Sequence, residues 1–293
     1  MATSLDHHPQ TSTQLARFTG LSRRELYFWL IGGLTGNLLI YLVDLSSPTA
    51  VLRSLSSLNL ILWFSLFVIS EKLAHSPSET PASRGDIGIA VFVGLTLCLS
   101  ALFGVRWGIG IPATATALFL IITYSKEKET RCLGIVLMAL SVHLFWAPIM
   151  FQLLYPEFLA ADAAAVGLFL SIVNPDINII NNTLFSANGH AVTLSGACSS
   201  FNNLSLAMLG CISMIMFVRG SWQKSDAFWM ALICLLMISM NVTRLGILAF
   251  DFETYKYWHD DAGASIIGIS ESLVILGASL AAAYHGQRDN QTC

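Results

Sequence analysis

The chain has 293 residues, 55% of them hydrophobic and only 11% charged, where soluble domains carry roughly 25% charged residues, so lipid is the expected solvent. A formal net charge of −3 with no basic patch argues against nucleic acid as a partner. Six cysteines, at 98, 132, 198, 211, 234 and 293, show neither CxxC spacing nor the setting of a small secreted domain; no disulfide framework, zinc site or cofactor is expected, and most of them read as apolar fillers.

Residues 1–24 read as a cytoplasmic tail, because the polar stretch at 1–20 lacks the apolar core and small-residue cleavage site of a secretory signal. Crossing about 30 Å of hydrocarbon takes roughly 20 apolar residues. Eight runs approach that length: 25–43, 55–72, 87–104, 108–124, 132–150, 198–218, 226–248 and 264–284. A ninth apolar stretch, Phe158 to Val173, is shorter and Ala-rich, carries Asp162 and ends at Asn174-Pro175. With eight spans and an inner N-terminus, the inner side collects Arg17, Arg23, Arg24, Lys72, Arg84, Lys126, Lys128, Arg131, Arg219, Lys224 and Arg288, and the outer side only Arg53, Arg106 and Lys256. A ninth span would weaken that asymmetry, so 158–173 is expected to lie as an interfacial or re-entrant helix at the outer surface. The fold class is therefore all-α: a polytopic membrane helix bundle of about eight transmembrane helices, with one membrane domain over 25–284 and a second cytoplasmic tail at 285–293. The inner membrane of a prokaryote, with both termini inside, is the expected location.

The longest connection, Phe151 to Ala197, contains no Lys or Arg, as suits an exported loop. Within it, Ile177 to Leu194 mixes β-branched residues with Asn181-Asn182 and Asn188-Gly189, which predicts a short hairpin closing at Asn188-Gly189.

Ionisable and polar groups at membrane depth are costly and become functional candidates. Cys198 opens the sixth span at its outer end among Ser199, Ser200, Asn202 and Asn203. Arg244 lies about 18 residues into the seventh span, roughly 27 Å from its inner start, so it too reaches the outer interface. His259 precedes the eighth span in an outer loop. A thiol, a guanidinium and an imidazole at one level form an acyl-transfer set of nucleophile, oxyanion stabiliser and proton shuttle. A helix N-terminus at Cys198 favours negative charge there. Simpler readings compete: a packing cysteine, an arginine snorkelling to head groups and a solvated loop histidine. Asn241, one turn before Arg244 on the same face, argues for a polar interior. Glu271 reads as the only carboxylate deep within a span and would neutralise Arg244, line a water cavity or make a bundle hydrogen bond. Asp260, Asp261 and Asp251 are alternatives for orienting His259. His143, near mid-membrane, reads as a helix-packing contact, and Gly32-Gly33 with Gly36 as small-residue packing.

The order Ala197-Cys198-Ser199, then Asn241-Val-Thr-Arg244-Leu-Gly246, then His259 with Gly263 resembles the exosortase and archaeosortase family over residues of roughly 130–284. Ser200 departs from the Gly that many members carry there. The resemblance implies a membrane cysteine peptidase or transpeptidase whose substrates are exported proteins ending in a recognition motif, a transmembrane helix and a basic tail. In it Cys198 is the nucleophile that forms a thioester, Arg244 stabilises the oxyanion and His259 carries the proton. Two further readings stay open: a transporter or channel with Arg244 and Glu271 on the path, and an assembly subunit without chemistry.

Overall fold

The structure, a computed structural model, describes residues 21–42, 46–47, 50–51, 59–77, 80–103, 109–173, 177–186, 189–259 and 262–289. Its helices are α1 (Arg23–Leu42), α2 (Leu60–Ala74), α3 (Arg84–Phe103), α4 (Gly110–Thr123), α5 (Lys128–Leu153), α6 (Tyr155–Val173), α7 (Ser200–Val218), α8 (Lys224–Leu248), α9 (Phe252–His259) and α10 (Ala262–Asp289). Each of the eight expected spans overlaps a helix, with 43, 55–58, 104 and 108 outside the described residues, and the ninth stretch, expected as an interfacial or re-entrant helix, is α6, which is long and apolar enough to cross. Among the described residues six helices are long and apolar enough to cross a membrane: α3, α5, α6, α7, α8 and the 263–286 part of α10. The helix α5 contains one π-helical turn, Val142–Trp146.

The chain divides into two compact units: Met1–Ser56 with Ser70–Gly134, and Ser57–Ile69 with Ile135–Cys293. In the first, polar groups tie helix ends together. Arg23 makes a bidentate pair with Glu127 at 3.0 and 2.7 Å, and Lys72 bridges Glu71 and Glu129. The buried Asp86 accepts from the Tyr27 and Tyr124 hydroxyls at 2.6 and 2.5 Å. The starts of α1, α3 and α5 and the ends of α2 and α4 therefore share one end of this unit, as strict up-and-down alternation requires. Of the three glycines of α1, Gly33 stands at contact distance from Leu97, while a Cβ on Gly32 or Gly36 would meet nothing within 4 Å among the described residues.

The second unit is built on α7, α8 and α10. Gly210 on α7 permits close approach, since a Cβ there would stand 2.5 Å from Ile275 on α10 and 3.3 Å from Ile61 on α2. At one end of the unit Gly220 (φ 69°) terminates α7, a Gln223–Asp226 capping box starts α8, Arg219 pairs with the buried Asp226, and Gln223 Nε2 donates to the Gly286 carbonyl at 3.1 Å. The opposite end holds the α7 start, the α8 end, α9 and the α10 start, together with α6. Leu159, Ala163, Val166 and Leu170 form a helical stripe on α6 that packs on Val242, Leu245, Leu248 and Ala249 of α8.

The connection between α6 and α7 forms three antiparallel strands rather than one hairpin: β1 (Asn178–Ile180), β2 (Thr183–Phe185) and β3 (Ala191–Thr193), in the order β1-β2-β3. The β2–β3 pair closes through the expected segment, where Gly189 adopts φ 86° and Asn188 lies outside the described residues. The additional β1–β2 hairpin turns at Asn181-Asn182, with Asn181 at φ 56°, a conformation that Asn tolerates better than other side chains.

Candidate functional site

Cys198 closes a 3₁₀ turn, Gly196–Cys198, and Ser199 caps α7 by accepting from the Phe201 N–H at 3.3 Å. The thiol is free, 9% exposed, and 3.7 Å from Ser195 Oγ. The segment Cys198–Ser200 is gripped from two helices. From α8, Asn241 Nδ2 donates to the Cys198 carbonyl and lies in hydrogen-bond contact with Ser200 Oγ, both at 2.9 Å. From α6, Asp162 Oδ2 accepts from Ser199 Oγ at 2.8 Å and from the Ser200 N–H at 3.1 Å. Asn241, Ser199 and Ser200 are all buried, so every one of these groups needs its partner.

Asp162 corrects the sequence reading in two respects. Glu271 is not the only carboxylate set within an apolar helix, and Asp162, 8% exposed, belongs to the site although it was not among the expected residues. The signal was present: a lone carboxylate in an Ala-rich run is costly unless protein groups receive it. The α7 N-terminus is also less free than expected, because the Ser200 and Phe201 N–H groups already serve Asp162 and Ser199.

Arg244 lies three residues beyond Asn241 on α8, about 4.5 Å further toward the helix end. With Glu271, Trp258, Ser270, Thr243 and Met240 it lines a cleft of about 330 Å³ between α8 and α10. The Arg244 Nε is buried without a hydrogen-bond partner among the described residues. Glu271, 7% exposed, lines the same cleft and accepts from Asn203 Nδ2 at 3.3 Å, a hydrogen bond within the bundle, and forms no ion pair with Arg244 among the described residues. An unsatisfied N–H donor on a residue that lines a cleft is chemically suited to an oxygen that gains negative charge.

His259 ends α9, its ring stacked on Tyr255 (centroids 4.7 Å apart, 13° between planes). Tyr255 and Trp258 pack on the apolar cluster that includes Cys198, so α9 covers the same end of the unit. The β-meander braces it: His190 Nε2 donates to the Leu248 carbonyl at 3.1 Å, and Ser186 Oγ donates to that of Phe250. Asp251 caps the opposite end of α9, binding the Thr254 N–H and hydroxyl at 2.9 Å each, and these bonds hold its carboxyl below the usual range. Asp251 is thus removed as a partner for His259, while Asp260 and Asp261 lie outside the described residues. Gly263 explains itself through sterics: a Cβ there would fall 2.7 Å from the Tyr257 carbonyl oxygen and 2.9 Å from the Trp258 Cα, both backbone atoms that cannot step aside. Gly263→Ala is expected to cost about 1–3 kcal/mol and to lower the thermal midpoint in detergent as α9 is displaced. An unchanged midpoint would mean that the junction yields.

The remaining candidates sit apart. Asn202 is exposed on the rim of a pocket of about 190 Å³ with Phe151, Gln152, Gly196 and Phe201. His143, in the π turn of α5, bonds Ser205 on α7 at 2.8 Å, the helix contact expected of it. Cys98, one of the cysteines read as apolar fillers, is exposed on α3. Among the described residues no group of three or more His, Cys, Asp or Glu is placed to hold a metal.

Apolar helices of membrane-crossing length, with a free thiol, an unpaired guanidinium nitrogen and an imidazole set on elements that meet at one end of one unit, define a polytopic helical membrane protein with a polar end-site. Residues 52–283 match the family described as transmembrane exosortase, and the chain belongs to that family of sortase-like membrane transpeptidases. The match takes in helices ahead of the 130–284 segment that carries the motifs. No curated protein and no solved structure matches the chain.

Proposed function

We propose that the protein is a cysteine transpeptidase or protease that cleaves C-terminal sorting signals of exported proteins at the outer face of the cytoplasmic membrane. The observation that carries this reading is the grip from two helices on the Cys198–Ser200 segment, with a guanidinium carrying an uncommitted donor one helical turn beyond Asn241. Cys198 Sγ attacks the scissile carbonyl carbon, and the thiol proton passes to His259. Arg244 donates to the oxyanion. As the C–N bond breaks, His259 returns the proton to the leaving amine and a thioester remains. An incoming amine, hydroxyl or water then attacks the same carbon, the S–C bond breaks and the sulfur regains its proton. Family membership supports this chemistry, as do the motif residues Asn241, Arg244, Gly246, His259 and Gly263 in their expected order. The substrates would be exported proteins carrying a recognition motif, a transmembrane helix and a basic tail, which suits an end-site facing outward and termini facing inward.

Intact cells treated with a membrane-impermeant maleimide test this reading. Labelling is expected that disappears in Cys198→Ala. Its absence both in cells and after detergent extraction would favour a transporter or assembly role.

A further inference from the structure

We propose that Asp162 is a positioning residue for acyl transfer, acting on the nucleophile through the first turn of α7; the inference rests on the reading of Cys198 as that nucleophile. A carboxylate on an apolar helix is tolerated only where protein groups receive it. Asp162 spends one oxygen on two donors, Ser199 Oγ and the Ser200 N–H, which are the two residues that follow Cys198. The charge faces the N-terminus of α7, where it also compensates the helix dipole. From the other side Asn241 holds the Cys198 carbonyl and Ser200 Oγ.

The three-residue segment is thus fixed by four contacts from two different helices, none of which involves the sulfur. Such an arrangement fixes the direction of the Cys198 side chain and leaves its reactive atom unencumbered apart from Ser195 Oγ at 3.7 Å. Capping alone does not require it, since Ser199 already caps α7 and neutral Ser, Thr or Asn serve that purpose as well as a carboxylate. What Asp162 adds is a bond between α6, which packs on the far end of α8, and the turn that presents the nucleophile. A sulfur displaced by about 1 Å loses on the order of 100-fold in rate, so the turn is where such a bond matters.

Two readouts test this in the native host, with the chromosomal copy replaced by variants: C-terminal peptides of the exported proteins quantified by mass spectrometry, and iodoacetamide alkylation of each cysteine in the purified full-length protein. D162A is expected to lower processing about 100-fold and to speed Cys198 alkylation severalfold as the turn opens, while the buried Cys132 and Cys211 stay protected. D162N, whose amide oxygen can accept the same two bonds, should stay within about tenfold of wild type. Wild-type processing by D162A overturns the proposal. So does Cys132 and Cys211 becoming reactive in step with Cys198, which would make Asp162 a general packing residue. If D162A fails to insert, D162N and D162E decide: processing ordered wild type, then D162N, then D162E with both buried thiols protected supports it, and equal processing in all three overturns it. An inactive C198A beside an active D162A removes only this inference, whereas a C198A that still processes removes the nucleophile assignment beneath it.

Discussion

Replacing Cys198 by Ala is expected to abolish conversion, a loss of at least about 10³-fold, while leaving the bundle folded. The two halves of that expectation have separate physical origins. Chemistry is lost because no neighbouring group supplies an equivalent nucleophile: Ser195, Ser199 and Ser200 are hydroxyls, and Ser199 and Ser200 are committed to Asp162 and Asn241. Folding is kept because the groups that define the turn are backbone atoms of Cys198 and side chains of its neighbours. The Asn241 bond goes to the Cys198 carbonyl, which Ala also has. Removing one sulfur from an apolar cluster leaves a small void, costing about 1 kcal/mol. The check is a pair of measurements on one preparation: the thermal midpoint in detergent, expected close to wild type, and the appearance of processed C-termini in the host, expected to fall below detection. Cys198→Ser, with a weaker nucleophile in the same turn, is expected to be inactive as well. Processing that survives in Cys198→Ala with an unchanged midpoint would exclude thioester chemistry at this residue.

Much of the frame was legible in the chain because the period and length of apolar runs report directly on membrane helices. The expected run 226–248 is Lys224–Leu248, and 198–218 is Ser200–Val218, displaced by the 3₁₀ turn that Gly196 begins. The antiparallel course of α7 and α8 brings Asn241, one turn before Arg244, level with Cys198, whose carbonyl it binds. What local pattern does not carry is which side chain meets which across helices. Asp162 looked like an intrusion in an apolar run because its partners are 37 and 38 residues away. The extra strand β1 was missed although Asn181-Asn182 was noticed, because one turn signal was assigned to the loop where the chain contains two. The π turn at Val142–Trp146 leaves no mark in composition. The glycines show the same divide. Gly246 and Gly263 stand in the motifs for steric reasons visible only in three dimensions, a Cβ at Gly246 falling 2.7 Å from the Phe169 ring. Gly32 and Gly36 have the spacing of a packing motif and no close neighbour among the described residues.

Arg244 and Glu271 offer the sharpest separation of catalysis from stability. Substituting Arg244 by Met should lower processing by about 10²–10³-fold, the loss typical of removing one oxyanion donor. It should also destabilise the protein, because Arg244 is a cation lining the same cleft as the buried Glu271, which would be left with Asn203 as its hydrogen-bond donor. That cost lies below the about 3–5 kcal/mol of a broken buried ion pair, since Arg244 is half-buried and the two groups do not touch. Arg244→Lys should preserve the charge balance, and hence the thermal midpoint, yet lose about 10²-fold in processing, because an ammonium on a flexible stem does not reproduce the fixed N–H directions of a guanidinium. The decisive variant is the double one. Arg244→Met with Glu271→Gln removes both charges, so the midpoint should return toward wild type while processing remains at the level of Arg244→Met alone. Recovery of both properties together would mean that Arg244 acts by balancing Glu271 and carries no oxyanion. Recovery of neither would place its role in packing against Trp258 and the walls of the α8–α10 cleft.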